Sequence, residues 1–172
     1  LTINPGECWA ILGRNGCGKT TLIHALSALH QGKEGQDSSV TIAGMALRQW
    51  SRRELARNLG ILLQDEPGEF WGTVHEYVLL GRHPHANNMF GWQATDLEMT
   101  SHAIEQMELT GLADRPLVTL SGGERQRARI ALLLAQSPKC YLLDEPLQHL
   151  DLRHQLGAML LFSELAKQGS SI

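Results

Sequence analysis

Residues 13–21 read GRNGCGKTT, a spacing of glycines, lysine and threonine whose parts serve one chemistry, the holding of a phosphate chain. Gly13, Gly16 and Gly18 let the amides of Arg14, Asn15, Cys17 and their neighbours turn toward one anionic centre. A helix opening at Lys19 adds the positive end of its dipole. Lys19 reaches the outer phosphates, Thr20 can ligate magnesium, and Thr21 continues the first turn. A plain glycine turn with an exposed lysine is the bland alternative; the apolar run before it and the helical spacing after it favour phosphate binding. A second candidate is CYLLDEP, residues 140–146, which sets Asp144 and Glu145 at the carboxyl end of an apolar run, where ligands collect in open parallel sheets. Adjacent carboxylates at a strand end point in different directions and can divide the work. Asp144 is the candidate for holding magnesium and Glu145 for orienting and deprotonating an attacking water. The competing reading is a solvated acidic turn before Pro146.

The third stretch is LSGGERQR, residues 120–127. Ser121 and Glu124 have capping-box spacing, so a helix start is well specified. Two glycines inside its first turn cost roughly 1 kcal/mol each relative to alanine, and capping does not explain them.

Positioning these residues requires strands and helices in alternation. CWAIL (8–12), GILL (60–63) and CYLL (140–143) are short apolar runs of the kind buried on both faces of a parallel sheet. Leu22, Ala25, Leu26 and Leu29 follow helical spacing after Lys19, and ARIALLLAQ (128–136) is a buried helix ending before Pro138. Four capping boxes are expected: Ser51 with Glu54, Thr73 with Glu76, Thr95 with Glu98, and Ser121 with Glu124. GQDSSVTIAGMAL, residues 35–47, predicts a small antiparallel hairpin. The fold class is α/β, a mostly parallel sheet core interrupted by a helical subdomain. The divisions are 1–64, with the phosphate loop and hairpin; 65–120, the helical subdomain; and 121–172, the return to the core.

With 172 residues, 42% hydrophobic and 19% charged, the chain can bury a globular core, and its net charge of −3 gives no general attraction to nucleic acid. Cys8, Cys17 and Cys140 are odd in number and widely spaced, which suits a reducing compartment and offers no metal-ligand pair. No segment approaches the roughly 20 apolar residues of a membrane span.

Together, GRNGCGKTT, the glutamine of GILLQD, LSGGERQR and CYLLDEP resemble the nucleotide-binding domain of an ATP-binding cassette protein, in the family's order and over essentially the whole chain. The resemblance implies a P-loop NTPase with a RecA-like core and inserted helical subdomain, with ATP and magnesium as cofactors. It also implies two such domains facing head to tail around two ATP molecules, most simply as an ATP-dependent homodimer. Ser121, Gly122 and Gly123 then face the γ-phosphate held by the partner's phosphate loop. Carried over one position at a time, Gln64 becomes the Q-loop glutamine that meets magnesium or the attacking water. Asp151 becomes the aspartate of the D-loop, with Gln148 and His149 departing from the commoner small residues there. Lys19, Gln64 and Glu145 form the catalytic set, and Thr20, Gln64 and Asp144 the metal set. Arg125, Gln126 and Arg127 are expected on a solvated or intersubunit face. Trp9 is expected to pack within its strand. An adenine-stacking aromatic and a switch histidine are not found, so the chain is expected to be a fragment truncated at both ends.

TVHEYVLLGRHPH (73–85) and LQHLDLRHQ further resemble ATPase subunits of bacterial importers of iron-siderophore complexes, haem and cobalamin. That implies a transport ATPase on the cytoplasmic, inner face of the cell membrane, bound to integral permease subunits. Glu69, Phe70 and Trp71 are docking candidates, Phe70 and Trp71 equally readable as subdomain packing. His83 and His85 read as a polar pair ending a loop. The alternatives are an exporter ATPase, or a soluble member of the family acting on nucleic acid or ribosomes. The latter is disfavoured by the short segment, without heptads, between Gln64 and Ser121.

Overall fold

A computed structural model describes residues 1–14, 16–27, 40–64, 69–86 and 91–172. Its parallel pair joins β3 (Leu59–Leu62) to β4 (Cys140–Leu143), with Leu59 beside Cys140 and Leu62 beside Leu143. β4 is the CYLL run and β3 the GILL run shifted one residue earlier, with Leu63 beyond the strand; each is half or fully buried along its length. Beyond β4 the ladder continues through the chain's far end. Ser171 bridges Cys140 in parallel, and Ile172 exchanges hydrogen bonds with Glu7 and Trp9 in the spacing of a parallel pair. The order across the sheet is therefore β3, β4, residues 170–172, residues 6–9.

CWAIL is a correction. Residues 8–12 carry no regular strand, and Trp9, Ile11 and Leu12 are exposed by 51%, 47% and 91%. Apolar composition predicts a buried strand only where elements cover both faces. Here Trp9 donates its amide to the Ile172 carbonyl and turns its indole Nε1 to the Glu7 carboxylate, 3.0 Å away. The helix after it, α1 (Lys19–Leu26), contains no buried residue, and Leu29 lies outside the described residues.

The hairpin is β1 (Thr41–Ile42) paired antiparallel with β2 (Met45–Ala46), inside the expected range; residues 35–39 of that expectation lie outside the described residues. The helix α2 (Arg52–Asn58) begins at Ser51 with its reciprocal Glu54 box, and α3 (Val74–Leu79) at Thr73 with Glu76. The next helix corrects the third predicted box. α4 (Ala94–Gln106) starts two residues early, its N3 residue being Asp96, whose Oδ2 accepts the Gln93 amide at 3.1 Å. The reason is Arg82: buried behind α3, it donates to Asp96 Oδ1 at 2.9 Å, so Asp96 must face inward with Thr100, Ala103 and Ile104.

Helix α5 (Gly122–Gln136) is the centre of packing. Its Ala128, Ile130, Ala131, Leu133, Leu134 and Ala135 join Val74, Tyr77 and Val78 of α3 and Ile104 of α4 in one core that extends to Leu62 and Tyr141. The helix ends at Ser137, in a left-handed conformation just before Pro138. α6 (Leu152–Lys167) adds Ala158 and Phe162 to this core. No helix among the described residues is long and apolar enough to cross a membrane.

Candidate nucleotide site

The site residues fall into two groups. The first is the loop before α1. Gly16 and Gly18 sit at φ +81° and +96°, conformations that cost an L side chain roughly 1–2 kcal/mol, and a Cβ on either would meet open space. Their requirement is thus conformational and is met at the N-terminus of a helix whose first amides are free for an anion. Lys19 folds back over the loop and donates to the carbonyls of Gly13 at 2.9 Å and Arg14 at 3.2 Å, so its ammonium is centred on the loop. Thr20 and Thr21 are exposed beside it, Cys17 donates its amide to Arg14, and Asn15 lies outside the described residues.

The second group gathers at the carboxyl ends of β3 and β4. The Asp144 amide donates to Leu62 at 2.8 Å, which extends the ladder and fixes the residues beyond both strands. Asp144 is buried, 4% exposed, and its Oδ2 has no hydrogen-bond partner among the described residues. A buried carboxylate oxygen left so is costly unless a cation or donor meets it. Glu145 stands at φ +49°, a left-handed conformation that costs a non-glycine residue about 1–2 kcal/mol and is concentrated at functional sites. That turn aims its carboxylate at Gln64, whose Nε2 is 3.4 Å from Glu145 Oε2. Two residues 81 positions apart in the sequence thus meet at adjacent strand ends.

The start of α5 closes over this turn. Ser121 accepts the Glu124 amide at 3.3 Å and Glu124 Oε2 accepts the Ser121 amide at 2.8 Å; that backbone bond holds the Glu124 carboxyl below its ordinary range. A Cβ on Gly123 would lie 2.9 Å from the carbonyl oxygen of His149, too close for any real side chain, whereas one on Gly122 would sit at an ordinary 3.6 Å from the His149 ring. Gly123 is therefore explained within the chain by the approach of α5 to residues 146–150. Asp151 caps α6, accepting the His154 amide at 2.9 Å and its Nδ1 at 2.8 Å; the amide bond leads in holding its carboxyl low.

The expectation of a solvated or intersubunit face for Arg125, Gln126 and Arg127 is corrected at Gln126, which is buried; Arg125 is exposed and Arg127 half-buried. Gln126 is 3% exposed and donates to Pro146 O at 2.9 Å; Arg127 donates to Met107 O and Glu108 O at 2.8 and 2.9 Å; Arg125 reaches Val118 O and Leu120 O at 3.4 Å. Helix spacing held the signal for Gln126, which precedes the buried Ile130 and Leu133 by four and seven positions and so shares their face. Phe70 meets Tyr77 in a tilted ring contact, centroids 5.4 Å apart, and packs on the core, while Trp71 is 75% exposed and Glu69 is exposed. His85 contacts Gln136 O at 3.0 Å, and burial lowers its pKa; His83 meets Trp92 edge-on.

Residues 1–148 match the sequence profile of the ABC transporter family. The chain is 41% identical over 170 residues to the ferric enterobactin transport ATP-binding protein FepC of Escherichia coli (strain K12), covering 98% of this chain and 61% of that one. It is 38% identical over 179 residues to the hemin import ATP-binding protein HmuV of Myxococcus xanthus (strain DK1622), covering 100% of this chain and 65% of the relative. Among solved structures it superposes on cbiO1 of Clostridium perfringens, described as part of the ABC transporter complex cbiONQ, with a TM-score of 0.74 at 28% identity over 98% of this chain and 65% of that one. The chain thus spans under two thirds of the length of these relatives. The phosphate loop, the paired strand-end residues and the capped glycine pair occur in one fold and one order, and the chain belongs to the ABC transporter family.

Proposed function

We infer that the protein carrying this chain binds and hydrolyses ATP to power import of a metal chelate, an iron-siderophore complex, haem or a cobalamin-type compound, through a membrane permease. The observation that carries the catalytic part is the meeting of Gln64 and Glu145 at 3.4 Å beside a buried Asp144 with an unpartnered oxygen. The chelate class rests on the likeness to importer ATPases, FepC and HmuV among them; an exporter ATPase and a soluble family member are less favoured.

The loop from Gly13 to Thr21 binds the phosphates through its amides, with the Lys19 ammonium exchanging its carbonyl partners for phosphate oxygens. The unpartnered Asp144 oxygen and the Thr20 hydroxyl fit magnesium, which prefers oxygen ligands and keeps much of its water shell. When bound, magnesium neutralises charge on the phosphates. Glu145 orients the attacking water and accepts its proton, and the Gln64 amide holds that water from the other side. Ser121, Gly122 and Gly123 of a second copy cap the γ-phosphate through the N-terminus of α5, and Asp151 lies at that interface, which makes the pair ATP-dependent. Residues 1–64 and 121–172 form the core and 65–120 the helical subdomain. The protein works at the inner face of the cell membrane. Of the docking candidates Glu69, Phe70 and Trp71, the exposed indole of Trp71 is the natural contact for a permease, since Phe70 is engaged with Tyr77.

Glu145→Gln in the whole protein is expected to leave magnesium-ATP affinity within about threefold and to cut hydrolysis by about 10²–10⁴. Equilibrium nucleotide binding beside phosphate release checks this; hydrolysis near the parent rate would remove Glu145 from the role of base.

A further inference from the structure

We propose that Gln126 and Arg129 of α5 form a two-residue bridge that positions the Gln64–Glu145 pair, so that the helix bearing the glycine pair also sets the geometry of hydrolysis in its own subunit. The proposal rests on the reading of Gln64 and Glu145 given above.

The bridge is continuous. Arg129 donates to the backbone carbonyl of Leu63 through Nη2, and its Nη1 lies 3.4 Å from the carbonyl of Gln64. The same Nη1 donates to Gln126 Oε1 at 2.9 Å, and Gln126 Nε2 donates to the carbonyl of Pro146 at 2.9 Å. One end therefore holds the backbone of Gln64 and the other the backbone of the residue after Glu145.

Its placement is specific to the two residues that meet. The ladder hydrogen bonds of β3 and β4 end with Asp144 on Leu62; the next carbonyls on the β3 side, at Leu63 and Gln64, turn to Arg129 instead. Glu145 occupies a left-handed conformation, which persists only where surrounding structure over-determines it, and the Pro146 carbonyl is the first acceptor after it. Proline has no N–H, so the Glu145–Pro146 peptide offers no donor of its own, and the next group that can be held is the Pro146 carbonyl. Gln126 supplies the missing anchor from a site 3% exposed, where an unpaired amide would be costly, so the hydrogen bond is strongly enforced.

Both are positioning residues that act through backbone; neither side chain faces the phosphate loop in the contacts described. A displacement of about 1 Å at a reacting group costs up to about 10²-fold in rate. In the whole protein, assembled with its permease, Gln126→Met and Arg129→Met are each expected to lower kcat per bound nucleotide by about 10- to 100-fold with ATP affinity within about twofold. Because the two act as one unit, the double variant is expected to lose no more than the worse single. Arg129→Lys, which keeps a donor, should recover part of the loss. Gln126→Glu retains the size and an acceptor for Arg129 but cannot donate to Pro146, and carries the test if the methionine variants do not fold; it should fall like Gln126→Met.

A change confined to the melting temperature, with kcat per site kept, would overturn the bridge, as would losses that multiply in the double variant or full activity of Gln126→Glu. Failure of the underlying reading has a separate signature, parent-like hydrolysis by Glu145→Gln, and would remove the proposal with it.

Discussion

Gly122 and Gly123 stand side by side at the start of α5 but answer to different constraints. A helix gains about 1 kcal/mol when glycine becomes alanine, provided the methyl has room. At position 122 the nearest atoms stand at 3.6 Å, so Gly122→Ala is expected to raise stability by up to about 1 kcal/mol and, on the proposed sandwich, to weaken only the contact with a second copy's nucleotide. At position 123 the methyl would drive into the His149 carbonyl at 2.9 Å, so Gly123→Ala is expected to lower stability by about 1–3 kcal/mol, the range for overpacked sites, and to shift residues 146–150. Urea unfolding of the two variants checks the contrast. Spacing announced both glycines as exceptional; it could not reveal that one of them is required within its own chain, because His149 is 26 positions away in sequence and its carbonyl is backbone. Gln126 escaped notice for a related reason, as a polar residue among arginines reads as solvated until its helical face is assigned.

At the scale of elements, the long runs were legible and the local starts mostly so. β3, β4 and α5 lie where apolar periodicity puts them, and three of four capping boxes form, since each depends only on residues three apart. The fourth moved because a tertiary contact competed. Burial pushes the Asp96 carboxyl up, but the Gln93 amide and Arg82 outweigh it and hold its pKa below the ordinary value. A depressed carboxylate contributes stability that is present above its unfolded pKa, near 4, and lost as pH falls through the folded value. The α4 anchor should therefore weaken only below about pH 4. Asp96→Asn should cost about 3–5 kcal/mol at neutral pH by stranding the buried Arg82, and should flatten that acid limb; denaturant melts from pH 3 to 7 read both. CWAIL failed where periodicity is silent, since a run of apolar residues states a preference for burial and says nothing of what will cover it.

For the whole molecule, the proposed nucleotide sandwich predicts association controlled by ligand. On the proposed role of Glu145 as base, Glu145→Gln should keep ATP bound, and should sediment as a dimer with magnesium-ATP and as a monomer without it. Adding Ser121→Arg, whose bulk and side chain block the free end of α5, should abolish the dimer while leaving ATP affinity in place. Sedimentation velocity on the whole protein distinguishes these; a dimer that persists with the arginine would place the contact elsewhere.

The sheet order β4, residues 170–172, residues 6–9 also has a consequence for synthesis. Residues 6–9, which lead into the loop at 13–21, leave the ribosome before α6, yet their neighbour in the sheet, residues 170–172, is made after it. At about 5–20 residues per second, the loop waits on the order of ten seconds before that neighbour exists. During that interval the amides of Gly6 and Trp9 and the carbonyl of Glu7 lack the partners that residues 170–172 later supply, an open strand edge on the growing chain.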